Sequence, residues 1–206
     1  MKKQRILAVG MAVLLGLGTA ACGGDDKKDD KMSGHGGMSM PSSTGTASSQ
    51  AGHNGQDVMF AQMMIPHHRQ AVDMAKTVLA KGSDPKVKNL AGRIEKAQAP
   101  EIEKMSGWLK AWGQPVPGAG DDSMANMGHG MDGMMSDKQM ADYNKASGKD
   151  LDRMFLTMMI EHHKGAVTMA QQEQKTGSAA EAKALAADII KAQQAEITEM
   201  NGLLKS

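Results

Sequence analysis

Aromatic side chains are almost missing from this chain, at 2% of 206 residues. Any core must therefore be built from Met, Ala, Leu and Ile. Cysteine occurs once, at Cys22, so no intramolecular disulfide can form and the fold must rest on its core alone. An excess of charge is lacking too. The net charge is +1, and it becomes −2 if a leader carrying Lys2, Lys3 and Arg5 is removed. A nearly neutral chain without a basic face excludes nucleic acid as the expected partner. Neither a Ser/His/Asp or Cys/His arrangement nor a phosphate-binding glycine loop is legible, which excludes the commonest hydrolase and nucleotide-binding readings.

The chain does have an export-like beginning. Lys2, Lys3 and Arg5 precede an apolar run from Ile6 to Leu17, then the small residues Thr19, Ala20 and Ala21. That order predicts a secretory signal over 1–21, the run being too short for a spanning helix. Cys22 stands where a lipoprotein signal is cut and acylated, so a lipid anchor on the outer side of the bacterial membrane is expected there. Residues 22–55 are rich in Gly, Ser, Asp and Lys and predict a flexible, disordered tether.

The remainder of the chain is a duplication. Residues 57–75, DVMFAQMMIPHHRQAVDMA, align with 152–170, DRMFLTMMIEHHKGAVTMA, and 95 residues separate His67 from His162. The same offset aligns KAQAPEIEKM at 96–105 with KAQQAEITEM at 191–200. In the second copy Phe155, Met158, Met159, His162, Ala166, Met169 and Ala170 recur at helical steps. Gly177 breaks that pattern, and Ser178 with Glu181 has the spacing of a capping box. Ser136 with Gln139 has it as well, and predicts a short extra helix ending near Gly148. Pro85 suits a first helical turn. Pro66 and Pro100 fall inside helical patterns, where kinks rather than breaks are expected because Glu161 and Ala195 replace them in the other copy. Two helical hairpins, 56–113 and 137–206, joined by a Met/Gly-rich loop at 114–136, predict an all-α four-helix bundle.

The chemistry gathers on one helix face. Met63 precedes His67 by one turn and Met64 precedes His68; Met158 and Met159 stand in the same relation to His162 and His163. Met74 and Met169 lie seven residues beyond the first histidine of each pair. Thioether beside imidazole suits copper, since Met favours Cu(I) and His accepts both oxidation states. The plainer alternative is a core histidine satisfied by a hydrogen bond. Glu101 and Glu196 fall beside the apolar stripe of the partner helices, where a carboxylate needs a cation or a metal. Each could bind metal directly, orient an imidazole through its N–H, or simply pin the hairpin.

Methionines also occur where no core is expected. Met124, Met127, His129, Met131, Met134 and Met135 crowd the central loop, and Met32, His35, Met38 and Met40 sit in the tether. Packing does not account for them there, and they read as a secondary metal-collecting segment or as low-complexity drift.

The pattern F-x-x-M-M-I-x-H-H-x-x-A-V-x-M-A together with Q-x-x-E-I-x-x-M resembles the bacterial family grouped as domain of unknown function 305. The resemblance covers 56–112 and 137–206. It implies a ferritin-like four-helix bundle outside the cytoplasm, and some members are linked to copper binding and tolerance. The expected function is a non-enzymatic, membrane-anchored protein that binds Cu(I), Cu(II) or Ag(I) and buffers it or passes it to a protein partner. Two other readings stay open: a metal-free structural bundle, and a ferritin-like di-iron oxidase. The second lacks the Glu-x-x-His motifs such a site uses.

Overall fold

The computed structural model describes residues 52–118 and 132–206. The expected signal over 1–21, Cys22, Met32, His35, Met38 and Met40 of the expected tether, and the loop residues Met124, Met127, His129 and Met131 lie outside them.

Among the described residues five helices are arranged in the order α1 (Gly55–Lys81), α2 (Pro85–Ala111), α3 (Asp137–Lys145), α4 (Gly148–Thr176) and α5 (Ala180–Leu203). The architecture is an all-α four-helix bundle with the short α3 attached. The α1–α2 and α4–α5 hairpins meet mainly along α1 and α4, and α2 and α5 touch less extensively. No helix among the described residues is long and apolar enough to cross a membrane.

Local signals explain most boundaries. Asn54 caps α1 in a capping box with Asp57, and Ser136 caps α3 in one with Gln139. Asp84 caps α2, with Pro85 as its first residue. Pro66 and Pro100 both lie inside unbroken helices. Tyr143 of α3 is fully buried and donates its O–H to the Met74 carbonyl at 2.7 Å, fastening α3 to α1.

One expectation is corrected. Ser178 does not cap α5: the N-cap is Ala179, without a side-chain hydrogen bond. The role passes to the other hairpin. Asp57 of α1 accepts from the Ser178 and Ala179 amides at 3.0 and 2.8 Å. Its counterpart Asp152 of α4 accepts from the Ser83 and Asp84 amides at 3.0 and 2.8 Å and from the Ser83 hydroxyl at 2.7 Å. Each hairpin thus binds the two amides just before the second helix of the other, as a cap exchanged between hairpins, using the first residue of the repeated segment.

The copies differ beside Asp57. There Glu173 is fully buried, where the equivalent position holds Val78. Burial, reinforced by the neighbouring Asp57 carboxylate, raises the Glu173 carboxyl to about 8. Burial alone would raise Asp57 too, but the neighbouring Glu173 carboxyl and hydrogen bonds from the Asn54, Ala179 and Ser178 amides outweigh it and hold Asp57 below its usual value. The folded state therefore favours protonated Glu173, and this contribution to stability is complete below about pH 4.5 and is lost as pH rises to about 8. The Asp57 contribution has the opposite sign and fades in acid. Glu173→Gln should flatten the melting temperature between pH 5 and 8 and exceed the native protein by a few degrees at pH 8. Parallel melting curves for the two proteins across that range would contradict this.

The core is in two parts. One part holds Ala71, Met74 and Val78 of α1, Leu90 and Ile94 of α2, Phe155 and Met159 of α4, and Met200 of α5. The other holds Phe60, Met64, Met105, Leu109, Ala170, Leu185 and Ile189. The histidine pairs lie in the stretches of α1 and α4 between these two parts.

Candidate metal centre

His67 and His68 come from α1, and His162 and His163 from α4; all four are fully buried. They reach one layer because α1 and α4 pack together and carry the pairs at matching positions. The rings of His67 and His162 meet with centroids 3.7 Å apart and planes at 41°. The His163 ring centroid is 6.4 Å from that of His162.

Three of the rings have one nitrogen engaged. His68 Nε2 lies 2.7 Å from Glu101 Oε2, and His163 Nε2 lies 2.7 Å from Glu196 Oε2. A carboxylate only accepts, so Nε2 carries the proton in both rings. The two glutamates are only 19% and 17% exposed, so each pair ties its own hairpin in a largely dry setting. His67 Nε2 lies 3.3 Å from the Asp132 carbonyl oxygen. His162 has no partner at either nitrogen, and Nδ1 is unpartnered in the other three.

Electrostatics keeps the central pair neutral. Burial and then the neighbouring His68 push His67 down to about 3, and burial with His67 pushes His162 well below its ordinary value. The layer therefore offers buried, unprotonated imidazole nitrogens. Gln98 and Gln193 are also buried beside the glutamates' positions on α2 and α5, with Oε1 unpartnered in both. Sequence reasoning does not single them out as site residues. The available signal is their place in the repeated K-A-Q segment, which packing alone does not require.

The methionines divide. Met64 belongs to one part of the core, and Met74 and Met159 to the other, all three fully buried. Met158 and Met169 are half-buried at the core margins, and half-buried Met63 belongs to neither part. Met134 is half-buried and Met135 is buried in the core. The expectation that loop methionines have no core to fill therefore fails for Met135: the chain returns to the bundle before α3 begins. Among the described residues no three His, Cys, Asp or Glu donors already stand at the spacing of one metal ion.

The model of the family "domain of unknown function (DUF305)" matches residues 57–204, most of the chain and both hairpins. The chain belongs to this family. A DUF305 protein from Streptomyces coelicolor is 36% identical, with a TM-score of 0.66 over 73% of this chain and 92% of that one. A DUF305 fragment from Deinococcus radiodurans is 33% identical, with a TM-score of 0.65 over 75% and 98%. CopM in its Cu(II)-bound form is 36% identical, with a TM-score of 0.62 over 72% and 95%, and CopM has also been solved with Cu(I) and with silver. No curated protein matches the chain.

Proposed function

We propose that this DUF305 protein binds copper or silver ions at the histidine layer, outside the cytoplasm, and that it stores or hands on the metal rather than catalysing a reaction. The observation that carries the reading is a set of four fully buried imidazoles with unpartnered nitrogens at the meeting of two hairpins. Buried polar atoms are ordinarily satisfied, and several orphans in one layer need a reason. Solved copper and silver forms of CopM, at similar identity, support the same choice of metal.

The donor set fits the ion. His67, His68, His162 and His163 would supply lone pairs without losing a proton, because burial already holds His67 and His162 neutral. Glu101 and Glu196 would orient His68 and His163 through Nε2, leaving Nδ1 for the metal. Thioethers of Met63, Met64, Met74, Met158, Met159 and Met169 would complete a soft set. His67 and His162 touch in the present arrangement, so loading requires these rings to part. The leader-like start and Cys22 support export with a lipid anchor, and Met124, Met127, His129, Met131 and Met134 would collect metal for the centre.

Metal content decides the matter. The purified protein, loaded with Cu(I), Cu(II), Ag(I), Zn(II) or Fe(II), should retain copper and silver stoichiometrically. The variants His67→Ala/His68→Ala and His162→Ala/His163→Ala should each lose that binding. Equal metal content in native and variant proteins would move the site away from the histidine layer, and no binding by the native protein would leave a structural bundle.

A further inference from the structure

The segment Asp132–Met135 runs back onto the bundle over the histidine layer, and three features hold it there. Gln70 of α1 binds both backbone groups of Met135: Met135 N donates to Gln70 Oε1 at 2.7 Å, and Gln70 Nε2 donates to the Met135 carbonyl at 2.8 Å. The Met135 side chain is buried in the core. On the α4 side, Gly165 has no side chain, and a Cβ there would lie 1.7 Å from the Asp132 carbonyl oxygen. Gly133, at φ +84°, passes so close to α4 that a Cβ would lie 3.0 Å from the His162 Cα.

By the repeat offset Gly165 corresponds to Gln70, so the one position does two jobs in the two copies. One copy clamps the segment and the other makes room for it. A loop that only connected two hairpins would need neither.

We infer that Asp132–Met135 is a positioning strap of the histidine centre, whose Asp132 carbonyl fixes the tautomer of His67 and so selects Nδ1 as its donor toward a soft monovalent cation. This rests on the metal-binding reading above. A carbonyl can only accept, so a His67 ring bonded to it carries its proton on Nε2 and keeps its lone pair on Nδ1. Glu101 and Glu196 make the same selection for His68 and His163. His67 would otherwise choose freely between two neutral tautomers, and locking a ligand's tautomer from outside the coordination shell typically governs affinity by tenfold or more. His162 has no such acceptor, so the strap serves one member of the central pair only.

Imidazole nitrogen NMR on the metal-free protein reads the tautomer directly. In the native protein His67, His68 and His163 should each show a protonated Nε2 and a bare Nδ1. Gly165→Ala forces the Asp132 carbonyl away, so His67 alone should shift towards a tautomer mixture, and Ag(I) affinity should fall about tenfold with stoichiometry unchanged. Gln70→Ala, which releases the other end of the strap without adding an atom, should move His67 in the same direction and decides the matter if Gly165→Ala does not fold. A native His67 protonated on Nδ1, or His67 signals unmoved in the folded variants, would overturn the inference. Absence of Ag(I) binding by the native protein would count against the metal-binding reading instead, since the tautomer signals need no metal.

Discussion

Replacing His67 and His162 together with leucine is expected to raise the melting temperature of the metal-free protein and to abolish the copper and silver binding proposed for this layer. The two rings are fully buried, and three of their four nitrogens have no partner. Each unsatisfied buried polar atom costs roughly 1–3 kcal/mol, and leucine adds apolar burial between the two parts of the core worth about 1.5–3 kcal/mol per side chain. Imperfect shape will consume part of that gain. A net gain of about 2–4 kcal/mol corresponds to roughly 5–10 °C for a domain of this size. Thermal unfolding of the apo proteins, with metal content measured alongside, tests both halves. If the histidines serve as polar glue, the variant should melt lower than the native protein, and the metal-binding proposal would lose its main physical support. Residues kept at the expense of stability are the mark of a functional site.

The same contrast explains what can be read from the sequence. The helices are legible because apolar residues recur at helical steps and because Ser136 and Pro85 carry their signals within a few residues of the boundary. That Glu101 and Glu196 face the histidine pair of their own hairpin is legible from two motifs repeated at one offset, but that the partners are His68 and His163 comes from the packed helices. The start of α5 is not legible from Ser178 and Glu181, because the amides of Ser178 and Ala179 just before it are held by Asp57, 121 and 122 residues away in sequence. Met135 escapes for a related reason. Composition marks a glycine-rich loop as unable to fold, but it does not show where Gln70 and Gly165 receive its far end. Whether the two histidine pairs form one centre or two depends on how closely α1 and α4 approach, which no periodicity contains. The 3.7 Å contact of His67 with His162 makes it one layer.

The exchanged caps give the second large effect. Asp152→Ala should destabilise the protein by about 3 kcal/mol, or roughly 6–12 °C in melting temperature. It removes the acceptor for the Ser83 and Asp84 amides and the Ser83 hydroxyl at a site only 5% exposed, where water replaces the lost bonds poorly. Loss of an N-cap alone costs about 1 kcal/mol; the excess comes from an acceptor that takes bonds from two amides and a hydroxyl and joins the two hairpins. Asp57→Ala should cost less at pH 8. Removing that carboxylate relieves Glu173 of the charge that helps keep it protonated, and the ionised Glu173 can then take up the role of anion near the start of α5. Beside Asp152 the residue equivalent to Glu173 is Val78, and the Asp84 carboxylate is already engaged with the Lys86 amide. Denaturant unfolding of the two single variants at pH 6 and pH 8 measures the difference. The gap between them should widen at pH 8, where Glu173 can ionise, and narrow at pH 6. Equal losses at both pH values would mean that Glu173 offers no substitute and that the two caps, despite their different surroundings, contribute alike.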